Sequence, residues 1–373
     1  MKPRREKVSK YCSRHHFNYV VAAPYILNSS ESRKRCAHIL LWRLGTMKAD
    51  NFPYYRDQIF DLYNDRKYRE ALAVAFQARE KFPERCAKTS YWIGCLQSRL
   101  GESKEALQTL EKASKDDIWW PDQALLMEPD LEPLQSKPEF KAIIAESQRL
   151  KQRALLIAKP GVMILTPRNF SPEERHPLVI ALTPRVGHPG DFAEHWKVAR
   201  NQGFLLAVPH SSQPISSEDY CWDDPERSEH DVAWAYEQVR DKYNIDPAKV
   251  IVAGFSQGAA LAMYLTLNRT FPCRGFIAVA ASDWVAPEDK PANQRDHPSE
   301  AFASFIRAKE VKELKGVIIM GDKDPFLPKI QTLLEGMVER GFKGKIDVVQ
   351  NLGHEFPTDF EKRLESAANF LVN

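Results

Sequence analysis

Lys249–Asn268 reads KVIVAGFSQGAALAMYLTLN. Val250-Ile251-Val252-Ala253 is a buried-strand signal, Gly254-Phe255-Ser256-Gln257-Gly258 a turn, and the Ala- and Leu-rich remainder a helix with no breaker before Pro272. Strand, G-x-S-x-G, helix is the pattern of a nucleophile elbow. So sharp a turn holds its serine in a strained backbone conformation, and glycines two before and two after let the chain fold back on itself. A serine placed there stands at a helix N-terminus, whose free N–H groups favour developing negative charge. The pentapeptide also arises by chance in chains of this length, so its meaning depends on its surroundings.

Those surroundings alternate. Pro177–Thr183, PLVIALT, is a continuous apolar run of the kind a strand buried on both faces shows. A helix near Asp191–Asn201, a strand Phe204–Val208, a long polar loop His210–Arg227 and a helix Ser228–Tyr243 lead to the elbow. Beyond it come strand Gly275–Ala280, a proline- and charge-rich loop, a helix near Glu300–Ala308 and strand Gly316–Met320. Helix Pro328–Arg340, closed by Gly341, and strand Lys345–Val349 follow. The final helix opens at Thr358-x-x-Glu361, a capping-box pattern. Upstream, Ala154–Ala158 and Val162–Pro167 read as a hairpin turning at Lys159-Pro160-Gly161. Strands alternating with helices predict a doubly wound, mostly parallel α/β sheet.

In such sheets, sites form at the C-terminal ends of the strands. Gly321-Asp322-Lys323-Asp324-Pro325 follows one strand, and Asn351-Leu352-Gly353-His354-Glu355 follows the next. The order serine, acid, histidine is then complete. A serine hydroxyl is a poor nucleophile until a base takes its proton, and histidine titrates in the right range. A buried carboxylate fixes the imidazole tautomer and stabilises the imidazolium. The expected roles are Ser256 as nucleophile, His354 as base and acid, and Asp324 as orienting carboxylate, with Asp322 the competing acid. Glu355 reads as a helix N-terminal acid.

GFSQG (254–258), GDKD (321–324) and GHEF (353–356) resemble the α/β-hydrolase superfamily, closest to its carboxylesterase/phospholipase-like and dienelactone-hydrolase-like esterases. The resemblance covers about residue 154 to the end. It implies that fold, serine-ester chemistry on a small-molecule ester, and no cofactor or metal. Family members commonly carry His-Gly after the strand equivalent to Pro177–Leu182, where one oxyanion N–H arises. Here the strand runs into Thr183-Pro184-Arg185-Val186-Gly187. Pro184 has no N–H, so the expected oxyanion donors are the backbones of Arg185 and Gln257. The Arg185 side chain would meet an anionic substrate or simply be solvated. His210, Tyr220 and Trp222 are candidate pocket walls for an apolar acyl or alcohol group. Amides and thioesters are alternative substrates for the same site. A non-catalytic scaffold with a degenerate hydrolase domain is the alternative of a different class.

Ahead of residue 154 the pattern changes. Ala71-Leu72 recurs as Ala106-Leu107 and Ala78 as Ala113. With Tyr68, Pro83, Trp92, Gly94 and Gly101, these positions resemble tetratricopeptide (TPR) helix pairs, which implies a peptide or protein partner. Residues 51–153 are therefore read as a TPR-like domain. Lys137–Arg153 is its capping helix, and Trp119 and Trp120 are interface core. Residues 1–50 read as a basic, unstructured extension, with a possible start at Met47. A signal peptide is the weaker reading, for want of a small-x-small cleavage site.

Residues 1–47 hold ten Lys/Arg against two acids, net +8, so the remainder of this +3 chain is −5. That charge gives no reason to expect nucleic acid. The six cysteines (12, 36, 86, 95, 221, 273) form no C-x-x-C and suggest reduced thiols in the cytoplasm. No apolar run is long enough for a membrane span.

Overall fold

A computed structural model describes residues 51–283 and 300–372. The expectations for residues 1–50, and for the proline-rich loop after Asp283, fall outside the described residues. The chain divides into two compact units at Gln152/Arg153.

The first unit is helical. Helix α1 spans Phe52–Asn64 and is capped by Asn51, whose side chain accepts from the Tyr54 N–H. Helices α2 (Tyr68–Lys81), α3 (Cys86–Arg99) and α4 (Ser103–Lys115) follow. A short helix α5 (Asp122–Leu126) and α6 (Pro138–Ile157) complete it. The repeating alanines are where neighbouring helices meet: Ala71, Ala78 and Ala106 are fully buried and Ala113 nearly so. At Gly94 an added Cβ would lie 2.9 Å from Leu110 Cγ, so a side chain at 94 would displace Leu110 of α4. Trp119 and Trp120 are buried, and the Trp120 indole donates to Ala87 O at 2.8 Å. The helix pairs fit the TPR-like pattern without establishing it.

The predicted hairpin is corrected here. Ala154–Ile157 is the last turn of α6, not a strand. An apolar run of four or five residues cannot distinguish the two, and here the helix ends at Ile157, shortly before Pro160. The second expected strand exists as β1 (Gly161–Leu165).

The second unit is a seven-stranded sheet. Its further strands are β2 (His176–Leu182), β3 (Leu205–His210), β4 (Ile245–Phe255), β5 (Gly275–Val279), β6 (Lys315–Gly321) and β7 (Lys343–Val349). The spatial order is β1-β3-β2-β4-β5-β6-β7. Only β1 is antiparallel, pairing Gly161 with His210 through Leu165 with Leu206. Helices α7 (Pro189–Trp196), α8 (Pro225–Lys242), α9 (Gln257–Asn268), α10 (Glu300–Ala308), α11 (Leu327–Val338) and α12 (Phe360–Val372) cover it.

Alternation along the strands divides the core. Leu178, Ile180, Leu182, Val250 and Val252 pack with α8, α9, α10 and α11 on one face. Val179, Ala181, Ile251, Ala253 and Phe255 pack with α7 and α12 on the other. This is the doubly wound, mostly parallel sheet that the sequence predicts. The expected capping box differs: the Glu361 carboxylate accepts from the Asn201 amide (3.0 Å). Glu355 is exposed in the loop ahead of α12, not in its first turn.

Candidate active site

Ser256 sits between β4 and α9 with φ 54° and ψ −118°. A non-glycine residue at such a φ is strained and persists only where its surroundings hold it. Here Ser256 donates its N–H to Val279 O (3.1 Å), and its carbonyl accepts from the Ser282 N–H (3.2 Å). The elbow backbone is thereby tied to β5 and the residues after it. Both flanking glycines are required by contact. A Cβ on Gly254 would fall 2.3 Å from Gly258 O, and one on Gly258 would fall 2.2 Å from Leu182 O.

The end of β6 brings the acid to the histidine loop. A Cβ on Gly321 would meet Leu352 O at 2.1 Å, so the strand end and that loop touch backbone to backbone. Asp322 accepts from the Leu352 N–H (3.2 Å), and the Lys323 N–H donates to Leu352 O (2.9 Å). Asp322 thus holds the loop. Asp324, buried, accepts from His354 Nδ1 (2.9 Å) with one oxygen and from the Phe326 N–H (2.9 Å) with the other.

With a carboxylate on Nδ1, that nitrogen carries the proton and Nε2 is left to accept. His354 Nε2 lies 2.9 Å from Ser256 Oγ, within reach to accept the hydroxyl proton. Ring centroids of Phe255 (5.2 Å) and Phe326 (5.5 Å) flank the imidazole. The structure therefore brings Ser256, His354 and Asp324 into one hydrogen-bonded chain across three strand ends.

The loop 183–187 lies against the elbow, since Gly258 also faces Thr183 O. Its partner is the loop after β3. The Trp222 indole donates to Thr183 O (3.0 Å), while Gly187 and Tyr220 exchange backbone hydrogen bonds (3.2 and 3.1 Å). The Arg185 guanidinium forks onto Asp223, with Nε to Oδ1 at 3.0 Å and Nη2 to Oδ2 at 2.9 Å. Gln257 Nε2 donates to the same Oδ1 (2.8 Å), and Gln257 Oε1 accepts from the Trp222 N–H (3.0 Å). Burial by itself would raise the Asp223 pKa. Hydrogen bonds and charge from Arg185, with the Gln257 amide, outweigh it and hold the carboxyl below its usual range.

Residues 235–305, from α8 through the elbow to α10, match the Phospholipase/Carboxylesterase family. This segment, which holds the elbow, is thus similar to an esterase family, and the second unit has the mostly parallel, helix-covered sheet expected of an α/β-hydrolase. Among solved structures, an uncharacterized protein from Bacillus cereus ATCC 10987 aligns at 22% identity over 85% of this chain and 97% of its own, with a TM-score of 0.44. Esterase PE8 aligns at 19% identity over 57% of this chain and 98% of its own (TM-score 0.45). Thermogutta terrifontis esterase 2 phosphonylated by cyclosarin aligns at 16% identity over 57% and 88% (TM-score 0.45). Comparison with curated proteins gave no matching sequence.

Other expected site residues have different surroundings. Trp222 is fully buried and holds Thr183, so it is no wall of an open pocket. Arg185, 36% exposed, is paired with the Asp223 carboxylate of its own chain. His210 and Tyr220 are half-buried and stacked, centroids 4.2 Å apart. Burial lowers the His210 pKa, against a hydrogen bond to Ser211 O. A surface cavity between residues 201–204 and α12 includes none of the Ser256, His354 and Asp324 side chains. Among the described residues, no three His, Cys, Asp or Glu side chains gather as a metal-ligand set, and no helix is long and apolar enough to cross a membrane.

Two groups escaped sequence reasoning: the Asp223 carboxylate and the side-chain amide of Gln257. Asp223 lies in a polar loop with no periodicity. Only the fold shows that this loop faces residues 183–187.

Proposed function

We propose that the chain hydrolyses a carboxylic ester through an acyl-enzyme on Ser256. The observation that carries this reading is the hydrogen-bond chain Ser256 Oγ to His354 Nε2, His354 Nδ1 to Asp324. His354 takes the Ser256 proton as Oγ attacks the ester carbonyl, and a tetrahedral oxyanion forms. His354, now an imidazolium facing Asp324, returns the proton to the departing alkoxide, leaving the acyl group on Ser256. Water enters, gives a proton to His354 and attacks the acyl carbonyl; the bond from the acyl carbon to Ser256 Oγ then breaks, His354 returns the proton to Oγ, and the carboxylic acid leaves. The oxyanion would be met by the backbone N–H groups of Gln257 and Arg185. Gln257 opens α9, where the first-turn N–H groups have no intrahelical partner. Arg185 belongs to the loop packed against Gly258.

His210 and Tyr220 remain the proposed wall on the side of the loop after β3. Cys86, Cys95, Cys221 and Cys273 are free thiols, in keeping with a reducing, cytoplasmic compartment. A panel of p-nitrophenyl esters of graded acyl length, acyl-CoA thioesters and peptides tests the substrate class. Turnover of esters above thioesters and peptides supports the proposal. Turnover of peptides alone overturns it.

A further inference from the structure

The same site raises a question of construction. In place of the family's usual His-Gly, this chain has Thr-Pro-Arg-Val-Gly at 183–187, in which Pro184 has a fixed φ but Arg185 and Val186 do not. Val186 adopts φ 62°, which a β-branched residue resists. Something outside the loop has to hold it. The loop after β3 grips it at three points: Trp222 at Thr183, Asp223 at Arg185 and Tyr220 at Gly187. Trp222 bridges the 183–187 loop and the elbow through its indole and backbone N–H, but only Asp223 joins the side chains of both expected donors. Its Oδ1 accepts from Arg185 Nε and from Gln257 Nε2, and its Oδ2 from Arg185 Nη2.

Resting on the esterase reading above, we propose that Asp223 is a positioning residue. It ties the side chains of Arg185 and Gln257 together, so that their backbone N–H groups keep a fixed separation around the oxyanion. A bidentate Arg–carboxylate pair fixes direction as well as distance. The third hydrogen bond, from an amide in the first turn of α9, links that pair to the elbow. The carboxylate accepts from Arg185 and Gln257 and makes no hydrogen bond to Ser256. It acts through the two residues that would touch the developing charge. Arg185 then serves its own backbone, not the substrate's charge.

The separation matters because donors must sit within about 2.7–3.1 Å of the oxyanion in the transition state. Because the oxyanion exists only after attack, loosening the donors lowers kcat and leaves KM nearly unchanged. Removing one such donor costs roughly 10²–10³ in rate, so a donor loosened but still present is expected to cost roughly tenfold to a hundredfold.

The test uses Asp223→Ala, Asp223→Asn, Arg185→Ala and the Asp223→Ala/Arg185→Ala double variant of the full chain. Hydrolysis of a soluble p-nitrophenyl ester and the rate constant of phosphonylation by a fluorophosphonate are measured for each, with the thermal unfolding midpoint. Asp223→Ala should lose roughly tenfold to a hundredfold in kcat and in the labelling rate, with KM within about threefold of wild type. Asp223→Asn keeps the shape but presents an amide N–H₂ to the guanidinium, so it should lose as much while folding normally. The double variant should be no worse than Asp223→Ala by more than about twofold, because both changes break one linkage. An unchanged kcat, a loss confined to KM, or losses that multiply in the double variant would overturn the proposal and leave the esterase reading intact. A wild-type protein inert to both ester and probe would overturn both.

Discussion

Gly258→Ala is the substitution whose consequence the coordinates specify most closely. An alanine Cβ there would lie 2.2 Å from Leu182 O and 2.4 Å from Thr183 O. Carbon–oxygen contacts relax near about 3.3 Å, so the start of α9 and the end of β2 must part by roughly 1 Å. Neither neighbour is a flexible side chain, since both obstructing atoms are backbone. Forcing a methyl into such a contact costs about 1–3 kcal/mol. For a unit of this size that lowers the unfolding midpoint by roughly 2–12 °C. The larger effect falls on catalysis, because the displaced backbone carries Ser256 on one side and the 183–187 loop on the other. A misplacement of about 1 Å near reacting groups costs on the order of a hundredfold in kcat. Steady-state hydrolysis of a p-nitrophenyl ester, with thermal unfolding followed by circular dichroism, measures both effects. Gly203→Ala is the control: Gly203 has φ 85° but open space around its would-be Cβ, at the end of the sheet away from the elbow. It should lose about 1–2 kcal/mol and no activity. A Gly258→Ala protein with kcat within threefold of wild type would refute the reasoning.

Asp324→Asn should reduce kcat by about 10⁴, because an amide facing His354 Nδ1 favours the wrong tautomer. Asp322→Asn, which touches only the Leu352 backbone, should cost less than about tenfold; equal losses would show the orienting acid to be misassigned. In the helical unit, burial raises the Glu128 pKa from 4.5 to about 7. The folded state therefore holds a proton that the unfolded state releases, and stability should fall as pH rises from 4.5 to 7, then level off. Hydrogen exchange of α3 amides in the full chain reads this, and Glu128→Gln should flatten the dependence. Gly336 lies inside α11 with nothing within 4 Å of an added Cβ, so Gly336→Ala should raise stability by about 0.5–1 kcal/mol in urea unfolding and leave kcat unchanged.

Much of the sheet was legible because its strands are short apolar runs between turn residues. The alternation of Leu178, Ile180 and Leu182 against Val179 and Ala181 shows why: both faces are covered, so every position is apolar. The elbow was legible because its two glycines bracket the serine within five residues, although the atoms that require Gly258 belong to Leu182 and Thr183. Asp324 and His354 could be picked out by chain order, since they follow consecutive strands. Local pattern did not give the pairing of β1 with β3, a contact between segments more than forty residues apart. Nor did it separate strand from helix at Ala154–Ile157, where apolar residues suit either. Asp223 was invisible for a related reason. Its partners, Arg185 and Gln257, are 38 and 34 residues away in opposite directions, and no local spacing marks a residue that bridges two loops.

The most direct measurement is intact-mass analysis after exposure to a fluorophosphonate, with peptide mapping of the adduct, on wild type and Ser256→Ala beside their ester turnover. We expect one adduct per wild-type chain, located on Ser256, and neither adduct nor turnover in Ser256→Ala. Turnover retained by Ser256→Ala, or an adduct on any other residue, would contradict the assignment of Ser256 as the nucleophile.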